Sequence, residues 1–182
     1  MTREEALKAI KARVQNGNLV KHMLAVEAVM RALARRFGED EEAWGLAGLL
    51  HDIDVELTRD DMQTHSRLGA DMVRELSVGE AIVQAVLRHN EAHGLPPETK
   101  MDKALFCADP LTGLVTATAL VHPERLGGLE ARSVLKRYKA KAFAAGVNRE
   151  QMAKCDQLGL SLEEFVQLGI EAMRGVRDEL GL

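Results

Sequence analysis

Aromatic residues make up only 3% of this 182-residue chain, which leaves few rings for stacking on bases. Positive charge is not in excess either. Lys and Arg total 24 against 28 Asp and Glu, for a formal net charge of −4. A surface of mixed sign argues against a nucleic acid polymer as partner, since polymer binding draws on a basic excess. Phosphorylated small molecules stay open, because they need only a local positive site. The two cysteines, Cys107 and Cys155, cannot build a disulfide framework, and no CxxC motif surrounds them. No run approaches the ~18 apolar residues of a membrane span, and the N-terminus, charged from Arg3 onward, has no signal-peptide apolar stretch. These absences predict a cytoplasmic protein with no membrane partner. None of them bears on oligomeric state.

Strand alternation is nearly absent as well, whereas helix signals recur from end to end. Thr2 and Glu5 form a capping box for a first helix, closed by Asn16-Gly17-Asn18. A second helix runs from about residue 19 to 37, with Val26, Met30, Leu33 and Phe37 on one stripe and Gly38 as its stop. Asp40 caps a third, which carries Trp44, Leu46, Ala47 and Leu50 inward. Residues 55–64 read as a polar loop. Thr64 caps a fourth helix, and Ser77 with Glu80 opens a fifth. Gly94-Leu95-Pro96-Pro97 is a break. A sixth helix holds Ala104, Leu105, Ala108 and Asp109, and Pro110 should kink or interrupt it. Residues about 130–145 read as a basic amphipathic helix stopped by Gly146. Asn148 with Gln151 and Ser161 with Glu164 cap the last two. The reading is one all-α domain over residues 1–182, a helical bundle with an additional C-terminal helical layer over about 129–180.

Into this apolar scheme the segment Gly48-Leu49-Leu50-His51-Asp52-Ile53-Asp54 introduces three ionisable groups where a buried run should continue. His22, His65 and His89 likewise sit on or beside apolar stripes, as does Asp109. A single buried imidazole is ordinarily a satisfied core residue. Four on separate helices, with two carboxylates similarly placed, are more economically explained by a shared cation. Imidazole and carboxylate together suit Zn, Mn, Fe, Co or Ni. Adjacent helical residues point about 100° apart, so His51 and Asp52 can serve one ion only near a helix end.

The order His22, His51-Asp52, Asp109 resembles the HD-domain superfamily of metal-dependent phosphohydrolases, HDIG-like in its signature. Leu49-Leu50-His51-Asp52-Ile53 looks like the signature segment, and Ala108-Asp109 like the late helix bearing the last aspartate. The HDID, HNExHG and ADP segments are similar to those of a branch of predicted hydrolases. The resemblance covers residues about 18–120. It implies that His22, His51, Asp52 and Asp109 hold one divalent transition metal. It also implies that His65 and His89 help to hold a second, with Asp52 bridging. The chain departs from one large branch in having Asp54 where glycine stands, and from others in having Val55-Glu56 in place of a lysine. The tandem histidines and Gly-Tyr-Pro of cyclic-dinucleotide phosphodiesterases are missing.

The expected activity is hydrolysis of a nucleotide or another small phosphate ester by a metal-activated water. Asp52 and Asp54 are the catalytic candidates. Asp54 would either orient a ligand imidazole or act as general base. Lys21, Lys139 and Arg149 are the candidate phosphate contacts, Lys139 and Arg149 belonging to a basic run with Lys136, Arg137, Lys141 and Lys154. Glu56 and His122 read as solvent-facing, and His93 either faces the cavity or braces the loop at Gly94. Two other classes keep the same ligands: a di-iron oxygenase and a non-enzymatic metal- or nucleotide-binding module.

Overall fold

Ten α-helices and no strand make up the fold in the computed structural model, which describes residues 1–182. In chain order they are α1 (Arg3–Lys11), α2 (Gly17–Phe37), α3 (Glu41–Leu50), α4 (Arg67–Glu75), α5 (Glu80–Arg88), α6 (Lys100–Leu120), α7 (Ala131–Lys139), α8 (Arg149–Ala153), α9 (Leu162–Gly175) and α10 (Arg177–Leu180). The two long helices, α2 and α6, cross at the centre. α3 and α5 cover one side, α7 to α9 the other. One continuous apolar cluster of 45 buried residues runs from Ala6 to Leu180. No helix is long and apolar enough to cross a membrane.

Where a cap is local, the chain behaves as its sequence predicts. Thr2 with Glu5 and Ser161 with Glu164 form reciprocal capping boxes. Asp40 accepts from the N–H groups of Glu42 and Ala43, and Gly38 closes α2 in the left-handed region at φ 68°. Thr99 with Asp102 adds a box in front of α6 that the sequence reading passed over. Asn16, read as part of a stop, instead caps α2 through the N–H of Asn18.

Where the partner is distant, local reading fails. Thr64 does not cap α4, which starts at Arg67 after Ser66 at φ 65°. The cap is supplied from elsewhere by Asp54, whose Oδ2 accepts from the N–H groups of Ser66 and Gly69. Ser77 and Glu80 make no box, and α5 opens at Gly79 without a side-chain cap. Glu56 is not simply solvated. It accepts from the N–H groups of Gln15 and Asn16 and ties the loop after α3 to the turn before α2. Pro110 does not interrupt α6, which runs unbroken through it. The lost i→i−4 bond costs about 3 kcal/mol and is offset by the buried Leu105, Leu111 and Leu114 on either side. The basic helix also ends early, at Lys139 rather than near 145. The reason is Arg149, whose guanidinium donates to the carbonyls of Arg137, Tyr138, Ala140, Phe143, Ala144 and Val147 and gathers the chain into a turn.

Candidate metal centre

Each of the four stripe histidines reaches the same place by a definite device. His51 and His89 occupy the C-cap positions of α3 and α5. Each turns Nδ1 back onto the carbonyl three residues earlier, Gly48 at 2.8 Å and Val86 at 2.6 Å, which aims Nε2 away from its helix. His22 has Nδ1 3.2 Å from the Thr112 hydroxyl, which itself donates to the Asp109 carbonyl and so accepts from the ring. His65 places Nδ1 3.1 Å from Asp54 Oδ1 and 3.3 Å from the Thr58 hydroxyl. With all four Nδ1 atoms engaged as donors, the neutral form of each ring offers at Nε2 the lone pair a metal requires.

Those Nε2 atoms converge on Asp52. Its Oδ2 lies 3.4 Å from His51 and 3.7 Å from His22. Its Oδ1 lies 3.4 Å from His65 and 3.4 Å from His89. Asp109 Oδ1 stands 3.1 Å from His22 and 4.0 Å from His51. The rings meet edge to face in sequence, His22 to His51, His51 to His89 and His89 to His65, at centroid separations of 5.1, 5.1 and 5.2 Å. The close approach of α2 to α3 makes this possible. A Cβ on Gly48 would lie 2.9 Å from the Glu27 nitrogen and the Val26 carbonyl, so only glycine lets the helices meet there.

The donor set fits a divalent ion. Ligands about 2.1 Å from one ion and at right angles stand about 3 Å apart, close to the separations seen here. His22, His51 and Asp109 form one group within ligand reach, and His51, Asp52 and His89 an overlapping one. His51 Nε2 is a buried polar atom with no hydrogen-bond partner, an expense that a metal removes.

Without metal, the carboxylates raise the imidazoles. For His51, burial pushes down, but the nearby charges of Asp52, 3.4 Å from its Nε2, and then Asp109 outweigh it and carry the group up to about 9. For His65, burial again opposes, and hydrogen bonds to Asp52 and Asp54 carry it up to about 10. Burial works to raise Asp52, yet His51, His65 and His89 hold it well below the usual carboxylate range. Both imidazole values lie above the ordinary 6.5, so their stabilising contribution in the metal-free protein is complete below about 6.5 and is lost as pH rises through about 9 to 10. Metal needs the neutral imidazoles and competes with those protons. Thermal melts should therefore show the metal-free chain losing Tm between pH 6.5 and 10, while chelator competition shows metal affinity rising across the same window.

A cavity of about 400 Å³ opens over His22, His65, His89 and Asp109, rimmed by Asn90, Asn148 and Gln151. Of the expected phosphate contacts, none lines it. Arg149 is held by the backbone carbonyls already described, and Lys139 is exposed elsewhere. Lys21 lines a neighbouring groove. The C-terminal layer does reach the cavity, but through Gly146, Val147, Asn148 and Gln151. Asp54 is fully buried with both oxygens occupied by His65, Ser66 and Gly69, and it does not line the cavity. His93 braces: its Nε2 donates to the His65 carbonyl at 2.7 Å. Thr58 and Thr112 were missed. Each follows an aspartate of the site, Thr58 four residues after Asp54 and Thr112 three after Asp109, a helical spacing that signals a shared face.

The all-helical fold gathers four histidines and two aspartates into one candidate metal centre. The HD domain family matches residues 19–114, over half the chain, and the chain belongs to that family. Similar curated proteins include the Ribonuclease Y of Sulfurovum sp. (strain NBC37-1), 28% identical across 97% of this chain and 36% of the relative. The Ribonuclease Y of Aquifex aeolicus (strain VF5) is 28% identical across 90% and 30%. That of Nitratidesulfovibrio vulgaris (strain DP4) is 31% identical across 53% and 18%. The chain thus spans about a third or less of the length of these relatives. No solved structure matches it. The relatives, ribonucleases by name, overturn the expectation of a small phosphorylated substrate and no nucleic acid polymer. That expectation read net charge as a statement about the whole surface. A phosphate at a metal centre meets its counter-charge locally.

Proposed function

We propose that this chain hydrolyses phosphodiester bonds of single-stranded RNA, using two divalent ions from among Mn, Fe, Co, Ni and Zn. The observation that carries this reading is the way Asp52 divides its oxygens, Oδ2 toward His22 and His51 and Oδ1 toward His65 and His89. His22, His51, Asp109 and Asp52 would hold one ion; His65 and His89, again with Asp52, would hold the second. Bound there, such ions lower the pKa of a coordinated water and neutralise charge developing on the phosphoryl oxygens. The protein's own part is to fix the ligands and their ring orientations. Thr112, Gly48, Val86 and Asp54 lock the four ring orientations. The relatives' names support hydrolysis over the oxygenase alternative.

No lysine or arginine lines the cavity, so the phosphate's positive partners are the ions themselves. The cavity falls in the lower part of the range of about 300–1,000 Å³ usual for ligand pockets, which suits a single strand and not a duplex. The test is incubation of manganese-loaded chain with short end-labelled RNA, the matching DNA, and chelator controls. Metal-dependent shortening of the RNA supports the reading, and none in any of the listed metals sinks it. Because the cleft engages about one or two phosphates, log affinity should fall with log salt at a slope of only about −0.7 to −1.4. A slope several times steeper would mean that an extended basic surface binds the strand.

A further inference from the structure

His22 lines one side of the metal cavity. A second cavity of about 510 Å³ begins there, and His22 and Gly113 line both. Its walls differ in chemistry. Asn18 and Lys21 come from the start of α2, Thr116 and Ala117 from α6, and Leu120 and Leu180 make an apolar side. Leu120 is 55% exposed, a large apolar side chain left uncovered at the mouth. An apolar face, a polar edge and one cation beside a phosphate-processing centre are what a nucleoside with a further phosphate would engage.

Gly113 supplies a second, independent argument. It lies inside α6, where glycine is the poorest residue short of proline. Its φ is not in the left-handed region, and a Cβ there would meet nothing nearer than Val147 Cγ2 at 3.4 Å, ordinary contact. Neither backbone nor packing demands glycine. Gly113 lines both cavities, so a larger side chain there would narrow one or both. A local rule broken without a structural gain marks a functional position.

We infer that this groove seats the nucleoside adjoining the phosphate at the metal centre. Lys21 faces the phosphate on that nucleoside's far side, and Gly113 is a specificity-determining residue lining both cavities. The inference rests on the RNA-hydrolase reading and assigns the substrate's neighbouring nucleotide its place.

Steady-state kinetics on the manganese-loaded chain test it with three substrates: methyl p-nitrophenyl phosphate, which has no nucleoside, a diribonucleotide, and a triribonucleotide. Wild type should prefer the diribonucleotide to the ester in kcat/KM. Gly113→Leu should raise KM for the diribonucleotide and lower that preference by about tenfold or more. Gly113→Ala should lower it less while raising Tm, since alanine replaces glycine in a helix. Lys21→Glu, at an exposed position, should reduce the preference for the triribonucleotide over the diribonucleotide. An unchanged preference in folded Gly113→Leu overturns the subsite. Should circular dichroism show that variant unfolded, an unchanged triribonucleotide preference in Lys21→Glu overturns it instead. Wild type that cleaves the ester but shows no preference for the diribonucleotide also overturns the subsite and leaves the hydrolase standing. Wild type that cleaves none of the three removes the hydrolase reading and this inference with it.

Discussion

On the two-ion proposal, Asp52→Ala should remove both metal equivalents and lower kcat/KM by about 10⁴-fold or more, the scale on which central members of a catalytic unit act. The size of the effect follows from position. Asp52 is the one residue within 3.4 to 3.7 Å of all four histidine Nε2 atoms. Without it neither ion keeps its carboxylate between two imidazoles. His65→Ala should behave differently, losing about one equivalent and keeping the other, because His22, His51, Asp109 and Asp52 Oδ2 are untouched. The fold should survive both changes, since neither residue belongs to the apolar cluster that holds the helices. In Asp52→Ala the metal-free protein should also show a weaker dependence on pH between 6.5 and 10, because Asp52 is the first of the carboxylates that raise His51 and His65, with Asp109 and Asp54 remaining. Metal analysis after gel filtration decides the point. A variant that retains one tightly bound equivalent and turns over RNA would mean that the histidines do not share Asp52.

The stripes carried much of this site in plain view. His51 and His89 end apolar helices, so their burial at 0% and 3% exposure follows from position alone, and the segment around His51-Asp52 resembles a known family. What orients the ligands was not legible, because it depends on contacts across the chain. Thr112 and His22 are 90 residues apart in sequence. The sequence leaves Asp54 as either an orienting partner of an imidazole or a general base, and only the return of residues 65–69 shows a buried acceptor set on His65. Arg149 failed for the same reason in reverse. A cation in a basic run looks available for phosphate until the backbone folds around it and uses every donor direction. Helix periodicity reports which face is buried. It carries no information on which polar groups on that face consume one another.

Asp54 gives the sharpest separation of fold from site. Asp54→Ala leaves the N–H groups of Ser66 and Gly69 buried without their acceptor and His65 Nδ1 with only the Thr58 hydroxyl at 3.3 Å. Breaking a buried charged network in this way costs about 3–5 kcal/mol, and the loop bearing His65 should melt before the rest. Asp54→Asn is the informative variant. Its amide oxygen can still accept from Ser66 and Gly69 where Oδ2 stood, which keeps the cap on α4. Its amide nitrogen must then occupy the place of Oδ1, 3.1 Å from His65 Nδ1. A donor now faces a donor, so His65 relieves the clash by moving its proton to Nε2. An Nε2 that carries a proton cannot ligate. Asp54→Asn should therefore keep most of the stability that Asp54→Ala loses, while metal affinity at the His65 position falls by about 10- to 100-fold, the usual toll of losing an outer partner. Parallel thermal melts and metal titrations of the two variants test this. Undiminished binding of two equivalents by Asp54→Asn would show that the His65 tautomer does not depend on Asp54.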